Sequence, residues 1–219
     1  MNWILLILAT LVPGLVWVWF FYRQDTADKA PPSILAATFG LGILAILPAA
    51  WLEMPFRDIL TAPGSSLSRL IVLIVTVGLI EEASKLAALY PAYRSPAWNE
   101  PVDGIIYGST AGLGFAAAEN LLYAVTFGFE VLPLRAVFAS LAHASFSGLV
   151  GFYLARVKLR GQSASIAIYG LVVASVLHGF YNFVIIDDAI PPALAIPLVL
   201  LIYRHLSSKI QEARLDSHR

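Results

Sequence analysis

Residues Leu70 to Tyr90 read LIVLIVTVGLIEEASKLAALY, an apolar run long enough to cross a bilayer that holds Glu81, Glu82 and Lys85 near its middle. A charge at the centre of a membrane costs ~2.5 kcal/mol or more, so charges retained there mark a functional site by default. Working outward, polar anchors recur in later apolar runs: Glu119 in GLGFAAAENLLY, His143 in ASLAHASFSG, and His178 with Asn182 in SVLHGFYNF. Carboxylates and imidazoles buried in one bundle have the composition of an active site.

The chain of 219 residues is 59% hydrophobic and only 13% charged, with a mean hydropathy of +0.78. These values describe a multi-pass protein of the cell membrane and exclude a water-soluble domain. Net charge is zero and no basic face accumulates, so the lipid bilayer is an expected partner and nucleic acid is not. Cysteine is absent, which removes disulfides, thiolate metal sites and cysteine nucleophiles together. The first apolar run lacks a basic segment before it and is long enough to span, so it reads as a retained helix rather than a cleaved signal.

Spanning runs fall near 2–22, 33–52, 68–90, 104–128, 132–156 and 164–186, with a shorter one near 189–204 that carries Pro191, Pro192 and Pro197 and is expected to be kinked or partly inserted. Backbone polar groups in lipid must be satisfied within the segment, so each run is a helix. The expected fold is therefore all-α, one polytopic transmembrane bundle of about seven helices covering residues 1–219 as a single domain. Alternating crossings collect Arg23, Lys29, Arg94, Arg156, Lys158, Arg160, Arg204, Lys209, Arg214 and Arg219 on one side, and only Arg57, Arg69 and Arg135 on the other. The positive-inside rule then puts the N-terminus outside and the C-terminus in the cytoplasm, with Asp187 and Asp188 outside. Gly104, Gly108 and Gly112 recur at four-residue spacing and read as a packing seam. Asp103 before them reads as a helix N-cap.

Counting 1.5 Å per residue from the outer helix ends gives depths of ~20 Å for Glu81, ~14 Å for Glu119, ~17 Å for His143 and ~12 Å for His178, all in one layer. Lys85 stands at i+4 from Glu81 and i+3 from Glu82, so it can neutralise one carboxylate on its own helix and leave the other for chemistry. A self-paired charge cluster would staple helices equally well, but it would not explain Glu119 and two histidines. His143 alone could be an interhelical hydrogen-bonding residue. His178 has Asn182 one turn away, and together they could donate to a developing oxyanion.

No G-x-S-x-G surrounds Ser84, Ser145 or Ser147, no aspartate lies mid-helix in the first six runs, and H-E-x-x-H is absent, which weakens or removes the serine, aspartyl and commonest zinc-protease routes. Glu81, Glu82, Glu119, His143 and His178 remain. They suit either a glutamate-activated water with no cofactor or a divalent metal such as zinc held by Glu81, Glu119, His143 and His178. Intramembrane Glu, Lys and His also mark ion paths, so a small transporter or proton relay is an alternative, as is a catalytically silent substrate-binding scaffold.

EEASK (Glu81 to Lys85), DGIIYGSTAGLGFAAAEN (Asp103 to Asn120), His143 and HGFYN (His178 to Asn182) resemble the PrsW family of intramembrane proteases, relatives of the CAAX prenyl endopeptidase and bacteriocin-processing superfamily, over about half the chain, residues ~78–183. The resemblance implies a glutamic or metallo-type peptidase. In it the Glu81/Glu82 pair supplies the water-activating carboxylate, with Lys85 and Asn120 as charge and structural partners, and His178 with Asn182 stabilises the oxyanion. Glu119 stands where the CAAX relatives carry a histidine. The implied substrate is a membrane-anchored protein, such as an anti-sigma factor, cut first on its extracytoplasmic side.

Overall fold

The computed structural model describes residues 2–26, 28–61 and 65–217, which form helices joined by short connections with no strand among them. The order is α1 (Trp3–Tyr22), α2 (Pro32–Leu44), α3 (Ile46–Glu53), α4 (Arg57–Thr61), α5 (Ser66–Leu73), α6 (Leu79–Arg94), α7 (Pro101–Phe127), α8 (Leu132–Leu134), α9 (Ser140–Arg160), α10 (Ser165–Ile186) and α11 (Ala195–Ser217). Among the described residues, five stretches are long and apolar enough to cross a membrane: Trp3–Tyr22, Pro32–Ile59, Phe129–Arg160, Ser165–Ile186 and Pro192–Asp216. Their outer faces expose large apolar side chains such as Ile4, Leu47, Trp51, Leu134 and Leu201, as a lipid-facing surface requires.

The runs expected near 68–90 and 104–128 also fold as helices, yet neither is among those five. Both answer to protein neighbours rather than to lipid. α6 buries Glu81, Glu82 and Lys85, and α7 is enclosed along Val102 to Ala117, where its glycines, Ser109 and Thr110 sit. The final run differs from its expected form as well. Pro191 and Pro192 lie in a 3₁₀ turn ahead of α11, and Pro197 is in the helix's first turn, where a missing N–H costs no intrahelical bond. α11 therefore continues to Ser217, well past the expected end near 204. Arg219, counted in the charge asymmetry, lies outside the described residues.

The glycine seam is a close approach of α7 and α9. A Cβ on Gly104, Gly108 or Gly112 would run into the backbone carbonyls of Gly151, Ser147 and His143 respectively. Ser109 Oγ crosses the same seam to the Ala144 carbonyl at 2.9 Å. Asp103, expected as the N-cap of α7, is instead its third residue, closing a capping box with Glu100 at the cap position. Its Oδ2 accepts the Glu100 and Asn99 amides at 2.8 and 2.9 Å, so the side chain does a cap's work from inside the first turn.

Two π-turns interrupt the α-helical path, Ile74–Gly78 leading into α6 and Arg135–Ala139 leading into α9. The Trp17 indole of α1 donates to the Ala136 carbonyl of the second at 3.2 Å. Each π-turn ends just before the helical turn that carries Glu81 and Glu82, or His143. π-turns of this kind collect at functional sites.

The seam yields a test. Gly108→Val would force α7 from α9 against backbone that cannot rotate away, and we expect it to destabilise the fold by at least about 2 kcal/mol. Gly40, in α2 with no atom near an added Cβ, should accept alanine with a gain of up to ~1 kcal/mol. Thermal unfolding of both variants in detergent checks the contrast.

Candidate active site

Helices α6, α7, α9 and α10 bring the five sequence-selected ionisable groups together. Lys85 is their hub. Its ammonium donates to Glu82 Oε1 at 2.8 Å, Glu81 Oε2 at 3.1 Å and His143 Nδ1 at 2.9 Å, and lies over the Phe115 ring at 4.3 Å. Lys85, Glu82, His143 and His178 are each only 1% exposed. Buried charges at this depth persist only when paired, and every donor of the ammonium has a partner.

The two adjacent glutamates have different surroundings. Glu82 has both oxygens engaged: besides Lys85, it accepts from His178 Nδ1 at 2.9 Å and from Ser147 Oγ at 3.0 Å. Glu81 instead lines a cavity of about 350 Å³, together with Glu119, Phe115, Asn182 and Glu53. Successive helical residues point about 100° apart, so one faces the α9/α10 interface and the other the void.

Glu119 is held by Arg135 Nη2 at 2.8 Å and His143 Nε2 at 3.0 Å. Arg135 also donates through Nε to Asn120 Oδ1 at 2.9 Å and packs on Tyr123 at 3.5 Å, while Asn120 reaches Ser140 Oγ at 3.3 Å. Lys85 is thus the charge partner anticipated for the glutamate pair, and Asn120 serves Glu119's side of the site through Arg135. Arg135 itself, counted from sequence as an outer-loop charge, was missed; only its position ahead of α9 could have flagged it. Ser147, set aside as a nucleophile, orients Glu82. Ser84 and Ser145 bond to carbonyls of their own helices.

His178 stacks on Phe146 at 4.9 Å, which fixes the ring plane. Its Nδ1–H points to Glu82, which leaves the Nε2 lone pair facing Glu81 Oε2 at 3.6 Å. That spacing is too long for a hydrogen bond, and both atoms are acceptors unless one is protonated. A proton, or a cation, is what the gap between them accommodates. Asn182 lies on the cavity wall.

One atom each of Glu81, His143 and His178 lies within 4.8 Å of the others, an oxygen–nitrogen–nitrogen set that suits zinc, with Glu82 orienting His178 as metal-bound histidines are commonly oriented. The fit has one condition. With Lys85 donating to His143 Nδ1, the ring proton belongs on Nε2, where it meets Glu119, so His143 has no lone pair to give until Lys85 moves aside. Glu119 lies outside this three-residue group.

An all-helical multi-pass bundle that buries a glutamate–histidine cluster beside a cavity suits an intramembrane protease, and comparison with known proteins bears that class out. A family profile described as "PrsW family intramembrane metalloprotease" matches residues 30–205. The chain belongs to this family. It is 30% identical to "Protease PrsW" of Bacillus subtilis (strain 168) over 183 residues, covering 82% of each chain. It is likewise 30% identical to "Protease PrsW" of Geobacillus kaustophilus (strain HTA426), covering 83% of this chain and 80% of that one. The Clostridioides difficile (strain 630) protein of the same name is 27% identical over 191 residues. No solved structure is a significant match.

Lys85→Met should expose how far the hub carries the fold. It strips two carboxylates of their shared cation, and breaking a buried pair costs about 3–5 kcal/mol. We expect membrane-fraction yield to fall sharply and the unfolding temperature of any recovered protein to drop, whereas Ser147→Ala should cost only about 1 kcal/mol.

Proposed function

We propose that the chain is an endopeptidase that hydrolyses a membrane-anchored protein near the extracytoplasmic side of the bilayer, with Glu81 taking the proton from the attacking water. The observation that carries this reading is the asymmetry of the pair: Glu82 has both oxygens engaged by three donors, while Glu81 opens on the cavity. A carboxylate removed from bulk water is a stronger base, and one facing a void has room for water beside it.

In this scheme Glu81 deprotonates the water and the oxygen adds to the scissile carbonyl. The Asn182 carboxamide, on the cavity wall, donates to the oxyanion. The proton is shared between Glu81 Oε2 and His178 Nε2 and returns to the departing amine nitrogen, and Glu82 stabilises the His178 imidazolium as a carboxylate does in hydrolase triads. His143 and Glu119 set Lys85 and Arg135 around this core.

The reading includes an N-terminus outside and a C-terminus in the cytoplasm, with residues 1–219 acting as one membrane domain. The cavity then opens toward the outer leaflet, where Arg57 and Arg69 line it. An anti-sigma factor or a similar single-span protein is the substrate type in keeping with the resemblance. Family membership favours hydrolysis over an ion path or a silent scaffold.

A metal-dependent version is favoured by one observation, the Glu81, His143 and His178 donor group, and by the family's description. Those three residues would hold the ion, which supplies Lewis-acid activation of water and carbonyl. We favour the glutamate route because Lys85 sets a positive charge 3.1 Å from Glu81 Oε2 and 2.9 Å from His143 Nδ1, and that charge repels a second cation.

Protein in lipid vesicles, incubated with quenched-fluorescent single-span peptides carrying Gly and Ser at the outer end, tests both points. Glu81→Gln should lower cleavage by roughly 10²–10⁴-fold with insertion intact. Full activity of that variant removes Glu81 as base. Chelation should leave the rate unchanged; stoichiometric zinc, with activity lost and restored along with the ion, reverses the choice of mechanism.

A further inference from the structure

Glu53, at the end of α3, lies outside every motif that drew attention in the sequence, yet it lines the same cavity as Glu81 and Glu119. Its Oε1 is buried with no hydrogen-bond partner among the described residues. The charges of Glu119 and Lys85 reach it, and its own reaches Glu81. In the free protein this is a costly arrangement, since a desolvated acceptor is unsatisfied and two like charges lie nearby.

Each neighbouring carboxylate has one oxygen held in a charged hydrogen bond. Glu119 is held by Arg135 and His143, and Glu81 is held through Oε2 by Lys85. Among the described residues, the carboxylate oxygen on the cavity wall that is buried without any partner is Glu53 Oε1. A polypeptide cut inside a membrane must unwind locally to present its scissile bond, and each unwound residue then carries an N–H with no water to receive it. Donor and acceptor are complementary, and each is expensive alone.

We infer that Glu53 is a substrate-binding residue of this site, its free carboxylate oxygen accepting a main-chain N–H from the unwound stretch of the protein being cut. The inference rests on the peptidase reading above. A group that holds substrate in the ground state and the transition state alike acts on KM rather than kcat.

The experiment uses the single-span peptides already described, in vesicles, with Glu53→Gln and Glu53→Ala. Both should keep kcat within about twofold while raising KM, roughly tenfold for alanine and less for glutamine, which retains an acceptor. Their unfolding temperatures should stay level or rise by about 2–4 °C, since an unsatisfied charge has been removed; a carboxylate that served only the fold would give a fall. Peptides N-methylated at one position at a time around the cut supply the donor side. One methyl should weaken binding to wild type and to Glu81→Gln, and have no further effect in the Glu53→Ala background.

Wild-type KM in both Glu53 variants, with cleavage intact, overturns the role of Glu53 and leaves the peptidase reading standing. Peptides that are neither cleaved by wild type nor bound by Glu81→Gln overturn both. Binding without cleavage by wild type overturns the peptidase reading alone, and the methylation series on Glu81→Gln then decides Glu53.

Discussion

One ammonium group organises the interior of this protein. Lys85 reaches two carboxylates on its own helix and an imidazole on α9, and in a low-dielectric setting none of the three can be left unpaired cheaply. The remaining contacts follow from it. Because Lys85 occupies Nδ1 of His143, that ring offers Nε2–H to Glu119, and the second lone charge of the region, Arg135, closes on Glu119 from the other side. The network is therefore ordered outward from a single cation, and the backbone seam between α7 and α9 keeps the histidine within its reach.

Much of the site was legible because membranes penalise charge. Glu81, Glu82, Lys85, Glu119, His143 and His178 stood out as polar residues in apolar runs, and their depths agreed once each run was taken as a helix. What stayed hidden were residues whose surroundings looked innocent. Arg135 and Glu53 sit at the ends of apolar runs, where a charge is ordinary, and only the packing of helix ends over the cavity turns them inward. The division of labour between Glu81 and Glu82 was equally invisible, since adjacent letters do not say which face of a helix meets protein and which meets a void.

Hydropathy was a sound guide to the lipid-facing helices and a weaker one to α6 and α7, the helices that carry the glutamates of the site. α6 and α7 are not among the stretches long and apolar enough to span, and a helix surrounded by other helices gains more from small and polar residues than from leucine. The same reasoning accounts for α11, whose prolines looked disruptive in the sequence but fall where a helix has no bond to lose.

The π-turns at Ile74–Gly78 and Arg135–Ala139 carry a different kind of information. A π-turn accommodates one residue more than an α-turn, and each residue swings the downstream helix by about 100°. Remove a single residue from Ile74–Gly78 and the composition, hydropathy and EEASK motif all survive, but Glu81 and Glu82 are turned off their present bearings relative to the helix before them. Part of the active centre is thus written in a count of residues and not in their kinds. A relative could keep every letter of the motif and still lose the geometry through a gap of one.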